Sequence, residues 1–144
     1  MTRGEARWNH LANLLVGGTG LVYGWMRYFA EPVDEFALVN HPLEPDVHRW
    51  HVVLAPLLVF TVGVIWSQHV WKRVRSGFRA RRTTGLMLAA LFVPMVASGY
   101  FLQTAESETW LQANVVAHVG TSTLWVLVYA FHLTRPRTAP AAPH

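Results

Sequence analysis

Four apolar segments of about 20 residues each dominate this chain of 144 residues and restrict the folds open to it. An α-helix rises about 1.5 Å per residue, so each segment is long enough to cross about 30 Å of hydrocarbon. Charged residues make up only 14% of the sequence, against roughly 25% in a soluble domain. The pattern predicts an all-α, integral membrane four-helix bundle with helices at residues 8–29, 50–71, 84–103 and 111–133.

The predicted domain organisation is simple. Residues 1–134 are expected to form one transmembrane domain, and the Pro/Ala-rich residues 135–144 are expected to be a disordered tail. The loop from Ala30 to Arg49 contains three prolines and is expected to be irregular. The absence of cysteine excludes disulfides, thiolate metal sites and covalent haem attachment. A metal would therefore need His, Met, carboxylate or carbonyl ligands.

Basic residues are concentrated on one side of the predicted bundle. Of the 12 Lys and Arg residues, 10 lie in the N-terminus, the connector after the second segment or the tail, and only Arg27 and Arg49 lie on the other side. The positive-inside rule then predicts cytoplasmic termini and a multi-pass protein of the bacterial inner membrane. The net charge of +4 reflects this topology, and we expect membrane lipid and no nucleic acid as a partner.

Histidines bracket two of the four segments. His51 and His69 bracket the second, and His118 and His132 bracket the fourth. Ionisable residues are costly in hydrocarbon and are functional candidates there. At 100° per residue, the separations of 18 and 14 residues place each pair on one helix face. Four imidazoles at two depths predict two metal centres, each a non-covalent b-type haem whose iron has two histidine ligands.

The depths assign the four histidines to the two centres. Both helices run from outside to inside, so His51 and His118 share the outer level, and His69 and His132 share the inner level. Along ideal helices the separation is about 27 Å in the second segment and about 21 Å in the fourth. A kink at Pro56 and different helix tilts would absorb the difference.

A fifth histidine, His10, lies early in the first segment at the inner level. The run RWNHLANLLVGGTG, with this histidine, and the layout over residues 8–133 resemble the four-helix di-haem cytochrome b superfamily. That superfamily includes membrane subunits of nickel–iron hydrogenases and formate dehydrogenases, and small bacterial cytochromes b. The resemblance implies that His51 and His118 hold the outer haem iron, and that His10 pairs with His132 on the inner one. Other four-helix relatives use helices two and four for both haems, which would select His69 instead.

The inner partner of His132 thus stays open between His69 and His10. His69 lies on the predicted ligand face of the helix that already supplies His51, whereas His10 is also explained as an interfacial residue. The remaining histidines fall in the predicted loop or tail and are expected to face solvent; they are His41, His48 and His144.

Two further features lie near the predicted ligands. Trp125 is midway between His118 and His132, where it either fills the space between the haems or is an ordinary core aromatic. The stretch Ser98–Tyr100 lies near the outer end of the third segment and is expected to pack against the outer haem, with Gly99 permitting close approach.

The predicted function is electron transfer in the membrane, between quinone or quinol and a redox partner protein such as a periplasmic c-type cytochrome. The sequence has no flavin, nicotinamide or iron–sulfur motif. One alternative is a stand-alone quinone-linked oxidoreductase that acts on a small redox substrate. Another is a membrane protein without haem that conducts protons or metal ions. Such paths commonly place carboxylates beside histidines, and the four segments contain no interior Asp or Glu, which favours haem.

Overall fold

The computed structural model describes residues 2–75 and 82–134, apart from the side chain of Arg73. Within this part of the chain the fold is helical and contains no strand, which confirms the predicted all-α class with four long helices. The elements are α1 Arg3–Tyr28, α2 Glu44–Ile65, a π-helical segment Trp66–Trp71, α3 Lys72–Arg75, α4 Arg82–Leu102 and α5 Glu108–Thr134.

The chain divides into two compact units, residues 1–68 and residues 69–144. The first unit is built on α1 and α2, and the second on α4 and α5. The predicted disordered tail, residues 135–144, lies outside the described residues, as do residues 76–81 of the basic connector.

Helix α1 begins at Arg3, ahead of the apolar segment, because a capping box stabilises its first turn. The Thr2 side chain accepts a hydrogen bond from the Glu5 backbone N–H at 3.2 Å. In return, the Thr2 backbone N–H donates to Glu5 Oε2 at 2.7 Å. This reciprocal pair satisfies two N–H groups that would otherwise lack partners at the start of the helix.

Helix α2 begins at Glu44, before the predicted apolar segment, and so includes His48, which the sequence analysis placed in the loop. Pro45 in its first turn is favourable, because a proline there lacks only an N–H that the helix does not use. Glu44 accepts hydrogen bonds from Arg27 Nη1 and from the Asn40 backbone N–H, both at 3.2 Å. The Asn40 side chain donates to the Arg27 carbonyl at 2.8 Å, so the start of α2 is fixed to the end of α1.

The continuation of α2 is a six-residue π-helical segment, Trp66–Trp71, which contains His69. A π-helix closes its hydrogen bonds between residues i and i+5, so its angular period differs from that of an α-helix. The common face predicted for His51 and His69 assumes a continuous α-helix, and that assumption does not hold beyond Ile65.

Helices α4 and α5 form an antiparallel hairpin with a short connection. Ser107 caps α5, since its Oγ accepts a hydrogen bond from the Trp110 backbone N–H at 3.3 Å. The rings of Trp110 and Phe101 pack across the turn with their centroids 5.4 Å apart. Further along, α4 contains Pro94, whose missing N–H leaves one carbonyl of the preceding turn without its usual helical partner.

The buried residues in the described part of the chain are apolar and polar in nearly equal numbers, eight and seven. Polar side chains are among the most buried, whereas many large apolar side chains are exposed. The buried polar residues are Asn9, Asn13, Glu44, Thr61, Thr84, Ser98 and Asn114. Small and polar residues between helices, with apolar residues outside, are the arrangement expected where lipid replaces water as the solvent.

Three helical stretches among the described residues are long and apolar enough to cross a membrane: Glu44–Trp71, Arg82–Leu102 and Glu108–Thr134. These helices indicate a membrane protein. Helix α1 does not belong to this group; charged and amide side chains in its first half, such as Arg7 and Asn13, lower its hydropathy.

Candidate functional site

His51 on α2 is held by the backbone and a hydroxyl group of α1. Its Nδ1 lies 3.1 Å from the Val16 carbonyl oxygen and 3.2 Å from Thr19 Oγ1. The Thr19 hydroxyl donates to the Leu15 carbonyl at 2.7 Å, so the oxygen presents lone pairs to the ring. Because both neighbours of Nδ1 are then acceptors, the neutral ring carries its proton on Nδ1 and its lone pair on Nε2.

Gly20 allows this close approach of the His51 ring to α1. A Cβ atom at position 20 would lie 2.9 Å from His51 Cε1 and 3.3 Å from Nδ1. Real Cβ atoms essentially never lie within 3.0 Å of another heavy atom, so the 2.9 Å separation would force the ring to move. Any larger residue at this position would therefore displace the imidazole.

His118 on α5 is held by α4 in the same way. Its Nδ1 lies 2.9 Å from the Met95 carbonyl oxygen and 3.5 Å from Ser98 Oγ. The Ser98 hydroxyl donates to the Pro94 carbonyl at 2.6 Å, so it too faces the ring as an acceptor. The neutral His118 ring therefore also carries its proton on Nδ1 and its lone pair on Nε2.

Gly99 has the role at His118 that Gly20 has at His51. A Cβ atom at position 99 would lie 3.0 Å from His118 Cε1 and 3.1 Å from Nδ1. In both units the histidine faces a carbonyl at position n, a hydroxyl at n+3 and a glycine at n+4 of the neighbouring helix. We call this three-part arrangement a histidine clip.

In the hairpin of α4 and α5, His132 contacts a similar hydroxyl–glycine pair, Thr84 and Gly85. Its Nδ1 lies 2.8 Å from Thr84 Oγ1, and a Cβ atom at Gly85 would lie 3.8 Å from its Cε1. Thr84 precedes Ser98 by 14 residues, and His132 follows His118 by 14, as an antiparallel hairpin requires. The position equivalent to Met95 is 81, outside the described residues.

The two candidates for the inner partner of His132 have different surroundings. His69 is half-buried in the π-helical segment, whereas His10 is exposed on α1, which buries the neighbouring Asn9 and Asn13 instead. The choice between His69 and His10 stays a prediction.

The loop-side histidines have other roles. His41 Nδ1 accepts a hydrogen bond from the Leu43 backbone N–H at 3.1 Å, so its proton lies on Nε2, the opposite tautomer to that of His51. His48 stacks on the Tyr23 ring with a centroid separation of 4.8 Å. Their partners are a turn and an aromatic surface, and neither has the surroundings of the clipped histidines.

Trp125 is buried within the second hairpin. Its ring packs against Phe92 of α4 at 5.7 Å and against Tyr129 of α5 at 6.4 Å, centroid to centroid. These contacts explain its burial without a cofactor and favour the interpretation of Trp125 as a core aromatic of the hairpin.

The described residues contain no cluster of three or more His, Asp and Glu side chains that could hold a metal ion. A haem iron takes four ligands from its porphyrin and needs only two from the protein. The clipped His51 and His118, each with a lone pair on Nε2, are chemically suited to that role.

Sequence reasoning identified the histidines and Ser98–Gly99. It missed Thr19 and Thr84 as partners of histidine. The available signal was a hydroxyl residue followed directly by glycine, at Thr19–Gly20, Thr84–Gly85 and Ser98–Gly99, in segments that neighbour a histidine-bearing segment.

No known protein family, curated protein or solved structure matches this chain.

Proposed function

We propose that this chain is a four-helix membrane cytochrome b that holds two b-type haems and transfers electrons between quinone or quinol and a redox partner protein. The observation that carries the proposal is the hydrogen bonding of His51 and His118, each with Nδ1 against a backbone carbonyl at 3.1 and 2.9 Å. A metal-bound histidine almost always donates its other ring N–H to such an acceptor, which fixes the tautomer and raises the basicity of the ligand.

The residues that would hold the haems follow from this chemistry and from depth along the sequence. We assign His51 and His118 to the outer iron, and His132 with either His69 or His10 to the inner iron. When bound, a b-type haem supplies one-electron transfer at its iron. The chain's own part would be to hold and orient the imidazoles, through the contacts of His51 with Val16 and Thr19 and of His118 with Met95 and Ser98.

The membrane arrangement is part of the proposal. Four spans, with α1 as the first, and cytoplasmic termini in the bacterial inner membrane agree with the segregation of Lys and Arg. Acidic side chains on the opposite side suit a basic partner such as a periplasmic c-type cytochrome; exposed ones are Glu31, Asp34, Glu35, Asp46, Glu106 and Glu108. Quinone would exchange electrons from within the lipid.

The haem proposal accounts for the histidines better than an ion-conducting path does. The buried carboxylate of Glu44 lies in the first turn of α2 and is ion-paired with Arg27 at 3.2 Å, so it already has a structural partner. A stand-alone quinone-linked oxidoreductase would use the same histidine ligands, and only its substrate would differ.

An absorption spectrum of the protein purified in detergent tests the proposal. We expect the reduced-minus-oxidised bands of b-type haem and a pyridine haemochrome ratio of two haems per chain. The His51→Ala variant should show a ratio of one, and His48→Ala, as a matched control on the same helix, should keep two. Purification without haem, despite expression with ample haem supply, would refute the proposal.

A further inference from the structure

We infer that Thr19–Gly20 and Ser98–Gly99 are positioning pairs of one common design, which orient His51 and His118 so that Nε2 is presented to a haem iron. The identity of the ligand rests on the proposed function. The hydrogen bonds and contacts that define the two histidine clips do not depend on the proposed function. The clips and the proposed function can therefore be refuted separately.

Each clip restrains both torsions of its histidine side chain. The carbonyl oxygen and the hydroxyl oxygen fix the direction of Nδ1, and the bare glycine backbone provides a flat surface for Cε1. In the first unit these contacts measure 3.1 and 3.2 Å at Nδ1, with 2.9 Å from Cε1 to a Cβ placed on Gly20. With Nδ1 and Cε1 fixed, the direction of the Nε2 lone pair is fixed as well.

The hydroxyl group adds an electronic role to this steric one. A Ser or Thr hydroxyl inside a helix donates its single proton to a carbonyl one turn back, as Thr19 does to Leu15 and Ser98 does to Pro94. The oxygen can then only accept from the imidazole. A second acceptor at Nδ1–H increases electron donation from Nε2 and so favours the ferric over the ferrous iron.

In the α4–α5 hairpin, the contacts of His132 can be compared with those of His118. At His132 the hydroxyl contact is short, 2.8 Å from Thr84 Oγ1, but the glycine contact is loose, 3.8 Å for a Cβ at Gly85. That distance is ordinary van der Waals contact, so alanine fits at position 85. The glycine requirement should therefore be strictest at position 20, weaker at position 99, where the ring must move by a few tenths of an ångström, and absent at position 85.

Four alanine variants of the holoprotein test the glycine requirement: Gly20→Ala and Gly99→Ala, with Gly85→Ala and Gly24→Ala as matched controls. No heavy atom lies within 4 Å of a Cβ placed on Gly24. We expect the first two variants each to lose one haem roughly 10–100-fold faster to apomyoglobin, with the loss of one low-spin ferric signal. Both controls should match the parent protein. Equal haem retention in all four variants would overturn the inference.

Milder substitutions separate positioning from a failure to fold. Ser98→Ala and Thr19→Val should retain both haems while the midpoint potential of one haem moves to a more positive value. The conservative variants Ser98→Thr and Thr19→Ser should restore the parent potential. Unchanged potentials in both Ser98→Ala and Thr19→Val would show that the hydroxyl groups have no electronic role and would overturn that part of the inference.

Nitrogen NMR of ¹⁵N-histidine-labelled protein distinguishes failure of the clips from failure of the proposed function. In reduced low-spin haem protein, which is diamagnetic, His51 and His118 should carry their proton on Nδ1. If the parent protein binds no haem, the proposed function fails, but the same tautomer should persist and Ser98→Ala should alter the His118 signal. A proton on Nε2 of either histidine would refute the clip.

Discussion

Arg27 in the last turn of α1 and Glu44 in the first turn of α2 form an ion pair of 3.2 Å in which the Glu44 side chain is only 5% exposed. Asn40 donates to Glu44 and to the Arg27 carbonyl, so both helix ends are joined through one residue. About two helical turns further in, Thr19 faces His51 in nearly the same antiparallel register. The ion pair therefore helps to set the register of the clip in this hairpin.

Removing the cation should destabilise the first hairpin. We expect Arg27→Ala to cost about 1–3 kcal/mol, because it leaves a buried carboxylate without its charged partner. Thermal unfolding in detergent, followed by circular dichroism, measures the loss. The matched control is Arg49→Ala, which removes the exposed Arg49–Asp46 pair and should cost about 0–1 kcal/mol. Equal melting temperatures for the two variants would contradict the structural role of the buried pair.

The positions of the helices could be predicted from the sequence, because a hydrocarbon solvent requires long apolar segments and leaves a plain signal. Their starts could not, because they depend on local polar groups outside those segments: Thr2 with Glu5 for α1, and Glu44 with Pro45 for α2. The π-helical segment that contains His69 has the sequence WSQHVW, which carries no known signature of a π-helix.

At the candidate site, too, the sequence predicted what depends on one segment and not what depends on its neighbours. Spacing alone singled out His51, His69, His118 and His132, since periodicity is a property of one helix. The partners of a histidine lie on another helix, and finding them requires the register between two segments. Thr84 could be paired with His132 only once Ser98 was known to face His118.

Trp125 should be a packing residue of the second hairpin. Because its ring fills the space between α4 and α5 beside Phe92, Trp125→Leu should lower the stability by about 2–4 kcal/mol through the cavity it creates. Haem content should stay at the parent value with only small changes of midpoint potential. A large change in one potential without loss of stability would instead favour direct contact of the indole with a haem.

The outer haem should depend on one histidine from each hairpin. His51→Ala and His118→Ala each remove a proposed axial ligand, so each variant should lose one haem and keep the other. Pyridine haemochrome content and low-temperature spectra of the purified variants measure this. His41→Ala is the control, because His41 accepts a backbone hydrogen bond in a turn; it should retain both haems. Two low-spin haems in both ligand variants would show that the outer pair is wrongly assigned.

Topology can be tested with reporters on both sides of the membrane. A reporter fused after His144 should be active only in the cytoplasm, because the proposed topology places the C-terminus and most of the basic residues on that side. A reporter inserted after Leu38, which is 96% exposed in the α1–α2 connection, should be active only in the periplasm. The reverse pattern would exchange the inner and outer assignments of the two haems.

Alanine variants of three histidines distinguish the two proposed ligand pairs of the inner haem, His132 with His69 and His132 with His10. His132→Ala should abolish this haem under either scheme, because both assign its imidazole to the iron. Of His69→Ala and His10→Ala, the variant that removes the true partner should lose one low-spin signal, and the other should keep both. Electron paramagnetic resonance of the oxidised proteins, with haem content measured on the same samples, gives the answer.

The histidine that is not a ligand would still lie at the inner membrane surface, at the depth of this haem. There it can donate a hydrogen bond to a haem propionate or to a bound quinone. Its replacement by alanine should slow reduction by quinol or shift one midpoint potential, while two haems are retained. If both single variants kept two low-spin haems, neither pairing would stand, and the inner iron would take its second ligand from another residue.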